Sequence, residues 1–137
     1  MYLTHLECPR CGKEHPADRP QNLCDCGSPL LARYDLAAVA RAVTPEQIPL
    51  RPADLWRYRE VLPVADPRHV TSLGEGWTPL LRAPSYGAEI GVTDLIVKDE
   101  GLIPTGSFKA RGAAVGISRA RELGVRRIAM PTNGNAG

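Results

Sequence analysis

The chain has 137 residues, enough for about one domain, and its 43% hydrophobic and 23% charged residues are ordinary for a globular protein. A net charge of +2 argues against a polyanion-binding surface, and therefore against nucleic acid as a partner. No apolar run approaches the length of a bilayer span, and the N-terminus lacks the basic and apolar segments of a secretory signal. These exclusions predict a cytoplasmic protein with no membrane partner.

Residues 1–34 are poor in apolar residues and rich in proline, so a hydrophobic core alone could hardly hold them. They contain two cysteine pairs: Cys8, Cys11, Cys24 and Cys26. Cysteine pairs on two short turns are how a zinc ribbon presents four thiolates to one metal ion. We therefore predict a zinc-ribbon-like module with a closed, structural zinc site. The second pair has one intervening residue where two are commoner, which leaves reduced thiols or a degenerate ribbon as alternatives.

Residues 35–70 are predicted to form a helical arm and a proline-bearing linker. Asp35 is a suitable N-cap for a helix over 36–43, and Asp54 for one over 55–62. Between them, Thr44 begins a run of cap residue, proline and acid that is typical of a helix start. The arm should therefore consist of short helices joined by proline turns.

From residue 71 the pattern is α/β. The β-branched run at 94–98 predicts a buried strand, Ser107 can cap a helix that runs to about Leu123, and Gly124 is suited to end it. A second strand is predicted over 127–130. A strand, a helix and a strand in this order predict a parallel sheet with a right-handed crossover, in which ligands bind beyond the carboxyl ends of the strands.

Lys109 is one of only three lysines among 17 basic residues. It stands just inside the predicted helix start, behind a glycine and a serine. The electropositive helix terminus disfavours a second positive charge, so it favours the neutral amine, a nucleophile that can form a Schiff base with an aldehyde. Arginine cannot do this chemistry. The alternative is an ordinary solvated surface charge.

The segment from Thr132 to Gly137 consists of small and polar residues directly after a predicted strand. Such a loop presents backbone N–H groups to an anion at the start of a helix. The alternative is a plain turn, because Asn-Gly is a common turn dipeptide.

Three segments in this order resemble the threonine synthase family of enzymes that use pyridoxal phosphate (PLP). They are SLGEGWTPL (Ser72–Leu80), PTGSFKARG (Pro104–Gly112) and PTNGNAG (Pro131–Gly137). The resemblance implies that 71–137 begin a three-layer α/β/α PLP domain of the tryptophan-synthase-β-like fold. The cysteine pattern of 1–34 resembles one that some threonine synthases carry.

The resemblance also implies roles for individual residues. Lys109 would bind PLP covalently and later move protons at the substrate carbon, Phe108 would flank the cofactor, and Asn135 would bond to its 3′-oxygen. The substrate carboxylate would lie against Thr132, Asn133, Gly134 and Ala136. Thr78 would help to shape the substrate pocket. The family's loop for the PLP phosphate and its partner for the pyridine nitrogen fall outside this chain.

The implied reaction converts O-phosphohomoserine and water to threonine and phosphate, on a small amino-acid substrate and in a homodimer. Trp77 and Ala110 depart from the family pattern, which favours a smaller or polar residue and an aspartate there. They leave open a threonine or serine dehydratase or a β-replacement enzyme of the same fold. Because the family is considerably longer, we expect this chain alone to be inactive. A third alternative is a metal-binding or interaction module without activity.

Overall fold

The computed structural model describes residues 1–134. The N-terminal strands β1 (Leu3–Glu7), β2 (Glu14–His15) and β3 (Leu31–Tyr34) form an antiparallel sheet in the order β2-β1-β3. Leu6 of β1 lies opposite His15 on one side and Ala32 on the other. The two cysteine pairs lie in the loops that follow β1 and precede β3, so the sheet brings the pairs together.

Residues 35–70 form four short helices, and the first three start where the sequence predicted them, whereas the fourth lies in the predicted linker. Helix α1 (Leu36–Ala42) begins after Asp35, whose side chain accepts the Ala38 N–H at 2.8 Å. The next three turns are 3₁₀ helices, at Pro45–Leu50, Leu55–Val61 and Pro67–His69. Pro49 lies inside the first of these helices. Because proline has no N–H to donate, an α-helical hydrogen bond cannot form at that position.

The next two strands, β4 (Leu80–Arg82) and β5 (Ile96–Lys98), pair antiparallel around the short helix α2 (Pro84–Glu89). The strand predicted at 94–98 is therefore present, but the prediction that it is buried was wrong, because all three residues of β5 are exposed. Among residues 1–134 each strand has one neighbour, and the residues of both strands are exposed, unlike those of a parallel α/β sheet with covered faces.

Helix α3 (Lys109–Glu122) agrees with the predicted helix. It ends at Gly124, whose φ of 76° lies in the left-handed region. The Val125 N–H bonds to the Ala120 carbonyl at 2.9 Å, as in a Schellman motif. The start differs in detail: the cap position is Phe108, and the Ser107 hydroxyl accepts the Lys109 N–H only at 3.4 Å.

The strand predicted at 127–130 does not form among the described residues. These four residues are exposed and have no strand partner within 1–134, although they run alongside α3. A β-strand needs a neighbour for its N–H and C=O groups, and local β propensity cannot supply one. The predicted parallel crossover is therefore absent from this part of the chain, where both sheets are antiparallel.

The packed side of α3 holds the N-terminal module, the linker and the helix together. Ser118 is fully buried, and its hydroxyl accepts the Thr71 N–H at 2.8 Å. Glu122 accepts the N–H groups of Ala65 and Asp66, both at 2.8 Å. Arg119 pairs with Glu122 and also donates to a carbonyl in the N-terminal module, 102 residues earlier in the chain. Among the described residues, no helix has the length and apolar character to cross a membrane.

Candidate cofactor site and metal centre

The loop before Lys109 reverses direction through two consecutive left-handed residues. Thr105 has φ 74° and Gly106 has φ 63° within the 3₁₀ turn Pro104–Gly106. Glycine adopts this conformation freely, whereas threonine does so at an energetic cost. Ile103 is 4% exposed and anchors the loop just before the turn. This turn delivers the chain into the first residue of α3, which is Lys109.

Lys109 lies at the edge of an open groove of about 1080 Å³ between α3 and the segment 127–130. Its side chain is exposed, and among residues 1–134 its amine has no hydrogen-bond or ion-pair partner. Phe108, 65% exposed, lines the same groove. The structure therefore brings together two of the residues predicted to bind the cofactor, with the lysine accessible.

The wall of the groove on α3 is made of small and apolar residues. These are Gly112, Ala113, Gly116, Ile117 and Ala120. A Cβ placed on Gly112 or Gly116 would meet no atom within 4 Å, so this side of the helix is open. Ala110, where the family pattern favours aspartate, is instead 7% exposed and points away from the groove. An accessible lysine beside an apolar wall suits a flat aromatic aldehyde such as PLP.

The predicted asparagine loop begins at the same groove, because Met130 lines it together with Lys109. Thr132, Asn133 and Gly134 are exposed, and the Gly134 N–H donates to the Thr132 hydroxyl at 3.0 Å. Asn135 and Ala136 lie outside the described residues. The roles of these five residues stay predictions.

The Ser72–Leu80 segment is built around a buried carboxylate. Glu75 is fully buried, and its Oε2 accepts the Leu73 N–H at 2.7 Å and the Ser72 hydroxyl at 3.1 Å. Its Oε1 has no partner among the described residues. Gly76 has φ 140°, and a Cβ there would lie 2.6 Å from backbone atoms of Asp54. Only glycine allows the segment to approach the arm this closely.

Trp77 is held by the arm, not by the groove. Arg57 is a buried residue, 2% exposed. Its guanidinium carbon lies 3.6 Å from the centre of the Trp77 ring. Stacking on an aromatic face partly compensates a buried cation. The tryptophan that departs from the family pattern therefore has a packing role in this chain.

Thr78 is also buried, and its hydroxyl donates to Glu100 at 2.5 Å. Arg111 holds the same carboxylate in a two-point contact at 2.7 and 2.8 Å. The Arg111 contact and the Thr78 hydroxyl lower the pKa of Glu100 to about 2. Lys98 donates to the Thr78 carbonyl at 3.1 Å. This cluster links the start of β4, the end of β5 and the first turn of α3.

The four cysteines are grouped as the spacing predicted. All four Sγ atoms lie within 4.8 Å of one another, with 3.5 Å between those of Cys8 and Cys26 and 3.6 Å between those of Cys11 and Cys24. Four thiolates around one Zn²⁺, each about 2.3 Å from the metal, would place sulfurs about 3.8 Å apart. The set is therefore the right size and chemistry for a tetrahedral metal ion.

The two cysteine turns are closed by their own backbone. The Gly12 N–H donates to the Cys8 carbonyl at 2.9 Å, and the Gly27 N–H to the Cys24 carbonyl at 2.8 Å. Both glycines have left-handed φ, 72° and 79°. An ion pair between Lys13 and Asp25 ties one turn to the other. The single residue between Cys24 and Cys26 therefore does not prevent the second pair from facing the first.

Sequence reasoning missed Glu100 and Arg111, which bind each other across eleven positions. Helix and strand periodicity predicts contacts only within one element, and an irregular loop separates these two residues. The available signal was the position of Arg111, two residues after Lys109 in the same predicted helix turn. It also missed the burial of Arg57 and its contact with the Trp77 ring.

Comparison with known proteins supports the predicted family. Residues 71–137 match the family described as pyridoxal-phosphate dependent enzyme. A threonine synthase of Methanocaldococcus jannaschii is 43% identical over 128 residues, which cover 93% of this chain and 32% of that protein. One of Methanosarcina acetivorans is 36% identical over 134 residues, covering 97% and 32%. A third, of Synechocystis, is 42% identical over 102 residues, covering 68% and 27%.

The chain thus spans about a third of the length of the curated relatives that it matches. No solved structure matches it. The Methanosarcina match covers 97% of the chain, so it includes most of residues 1–34 as well as the Lys109 segment. The chain belongs to the threonine synthase family of pyridoxal-phosphate dependent enzymes.

Proposed function

We propose that this chain is part of a PLP-dependent lyase of the threonine synthase type, which converts O-phosphohomoserine and water to threonine and phosphate. One observation carries the proposal: Lys109 is accessible and unpaired among the described residues, at the start of α3 and at the edge of an apolar groove. The relatives that share most of this chain are named threonine synthases.

In this proposal the groove holds the cofactor, and Phe108, Lys109 and the loop 132–136 keep their predicted roles. PLP would supply an electron sink for charge that develops at the substrate α-carbon. Lys109 would hold PLP through its amine and then move a proton at that carbon. Phe108 would cover one face of the ring, and Asn135 would bond to its 3′-oxygen. The loop 132–136 would bind the substrate carboxylate through backbone N–H groups.

We further propose three parts for the chain: a metal module over 1–34, a helical arm and linker over 35–70, and the start of the PLP domain over 71–137. The protein would function as a homodimer. The segment 127–130 would join a parallel sheet of the PLP domain. The open side of α3 supports this, because its small residues allow a sheet to approach closely.

The metal module would hold one structural Zn²⁺ through Cys8, Cys11, Cys24 and Cys26. The site has four thiolates and no open ligand position, which is the arrangement of structural zinc and not of catalytic zinc. Cys8 and Cys24 are almost fully buried, whereas Cys11 and Cys26 are exposed.

The proposed function is tested by reducing the natural gene product with borohydride and mapping the modified peptide by mass spectrometry. We expect reduced PLP on Lys109, and none on Lys13 or Lys98. Lys109→Ala should abolish the adduct and lower phosphate release from O-phosphohomoserine by at least about 10²–10⁴-fold. The matched control is Lys13→Arg, which keeps the charge beside Asp25 and should change neither.

A protein with no adduct on Lys109 would contradict the proposal and favour a metal-binding or interaction module. An adduct with turnover of threonine or serine, but not of O-phosphohomoserine, would keep the cofactor and replace the substrate. The 137-residue chain by itself should release no phosphate, because the predicted partners of the PLP phosphate and pyridine nitrogen lie outside it.

A further inference from the structure

A cluster of three side chains joins the Ser72–Leu80 segment to the first turn of α3. The two-point contact between Arg111 and Glu100 fixes the planes of both groups, so the pair has essentially one geometry. The side chains of Glu100 and Arg111 are 27% and 26% exposed, and Thr78 is 7% exposed. These groups are therefore shielded from much of the solvent that weakens surface ion pairs.

The cluster acts on the same helical turn that carries Lys109. Residues of an α-helix are spaced by about 100°, so side chains two positions apart point to nearly opposite sides of the axis. Lys109 lines the groove, whereas Arg111 does not and turns toward Glu100. Holding Arg111 therefore fixes the rotation of the first turn, and with it the direction of the Lys109 side chain.

At this end of α3 the N–H groups of Ala110 and Arg111 donate to the Ser107 and Phe108 carbonyls, both at 3.1 Å, but no side chain caps the helix firmly. Phe108 occupies the cap position without a side-chain hydrogen bond, and the Ser107 contact to the Lys109 N–H is long, at 3.4 Å. A helix start without a side-chain cap depends on short-range bonds of this kind for its first N–H groups. The Glu100–Arg111 pair adds a side-chain anchor to this turn.

We propose that Glu100 and Arg111, together with Thr78, are positioning residues that orient Lys109 toward its reaction partner. Thr78 contributes through its bond to Glu100 and not through contact with the substrate. This inference rests on the proposed function of Lys109. It goes beyond that function because it assigns a purpose to three residues that lie outside the groove.

The test uses the natural gene product with the variants Glu100→Gln, Thr78→Val and their combination. One readout is the rate at which borohydride-fixed PLP appears on Lys109 after the cofactor is stripped and added back. The other is kcat and KM for O-phosphohomoserine. We expect Glu100→Gln to slow trapping on Lys109 and to lower kcat, each by about 10- to 100-fold, with KM changed less than about twofold.

Thr78→Val separates positioning from substrate contact, since it removes a hydroxyl and keeps the shape of the side chain. We expect it to lower kcat, and the double variant to be no worse than Glu100→Gln alone, because both changes act on one network. The matched control is Asp94→Asn, which breaks the exposed pair with Arg82 on the same strand pair. It should leave trapping and kinetics unchanged.

A Thr78→Val variant that raises KM, keeps kcat and adds to the effect of Glu100→Gln would overturn the positioning role in favour of substrate contact. Wild-type trapping and kcat in Glu100→Gln would overturn it as well. If Glu100→Gln fails to fold, the milder Thr78→Val decides by the same two readouts. Absence of the Lys109 adduct in the wild type would instead remove the proposed function, and the positioning role with it.

Discussion

The cysteine module (residues 1–34) and the Lys109 groove differ in how much of each site lies within a short stretch of chain. The module contains its whole predicted ligand set, two self-closing turns and a sheet of its own. The groove has one wall on α3 and a second in a segment without strand partners among residues 1–134. The candidate metal site thus has all its predicted ligands within 1–34, whereas the candidate cofactor site has only part of its predicted residues in the described chain.

Helix α3 shows the same contrast on its two sides. Ala110, Ala114 and Ser118 recur every fourth residue and are buried against the rest of the chain. Gly112 and Gly116, on the other side, face open space. One side is packed by neighbours close at hand, and the other is shaped for a neighbour that the described residues do not include.

The largest expected effect tests whether the module is complete by itself. Cys8→Ser should lose the bound metal, and residues 1–34 should lose protection from hydrogen exchange, because zinc binding contributes about 10–16 kcal/mol in small zinc domains. Metal analysis and hydrogen exchange measure the two effects. His5→Gln is the control and should retain one metal per chain. Equal protection with and without metal would show that the sheet, not the ion, holds the module.

A second prediction removes the contact of α3 with the linker at Glu122, whose partner Arg119 also bonds to the cysteine module. Burial alone would raise the pKa of Glu122, but the N–H groups of Asp66 and Ala65 and the Arg119 guanidinium lower it overall. Glu122→Gln should reduce the free energy of unfolding by about 1.5–3 kcal/mol at pH 7, as for hydrogen bonds to a charged group. Denaturant unfolding measures this, and metal affinity should be unchanged.

The effect of Glu122→Gln should depend on pH. A carboxylate with a lowered pKa stabilises the folded state fully above its ordinary value of about 4.3, and this contribution is lost as the pH falls through the folded-state pKa. The difference between wild type and variant should therefore be constant near neutrality and shrink in acid. A difference that grows in acid would contradict the hydrogen-bonding role of the carboxylate.

The smallest expected effect concerns the open side of α3. In the 137-residue chain, Gly116→Ala should raise the free energy of unfolding by about 0.5–1 kcal/mol, because alanine favours helix and its Cβ meets no atom. Gly124→Ala, at a left-handed position, should lower it instead. Thermal unfolding measures both. If the proposed parallel sheet packs on this side in the natural gene product, Gly116→Ala should be destabilising there, and a stabilising effect would contradict that packing.

Several elements could be predicted because their causes are local. Asp35 caps α1, Gly124 ends α3, and Gly12 and Gly27 close the cysteine turns, each through bonds within five residues. The absence of a strand over 127–130 and the exposure of β5 could not be predicted, since a paired, buried strand requires neighbouring strands that local sequence does not supply. In the candidate site, Lys109 was found from its motif, whereas Glu100 and Arg111 were not.

By itself, the sequence determined the family, the lysine at the start of a helix and the cysteine spacing, because each depends on residue type and short-range order. Only the tertiary structure decided the rest. It brought four sulfurs within 4.8 Å, stacked Arg57 on Trp77 and set Thr78 against Glu100. These contacts join segments far apart in the chain, and their geometry follows from how the elements pack, which no local pattern encodes.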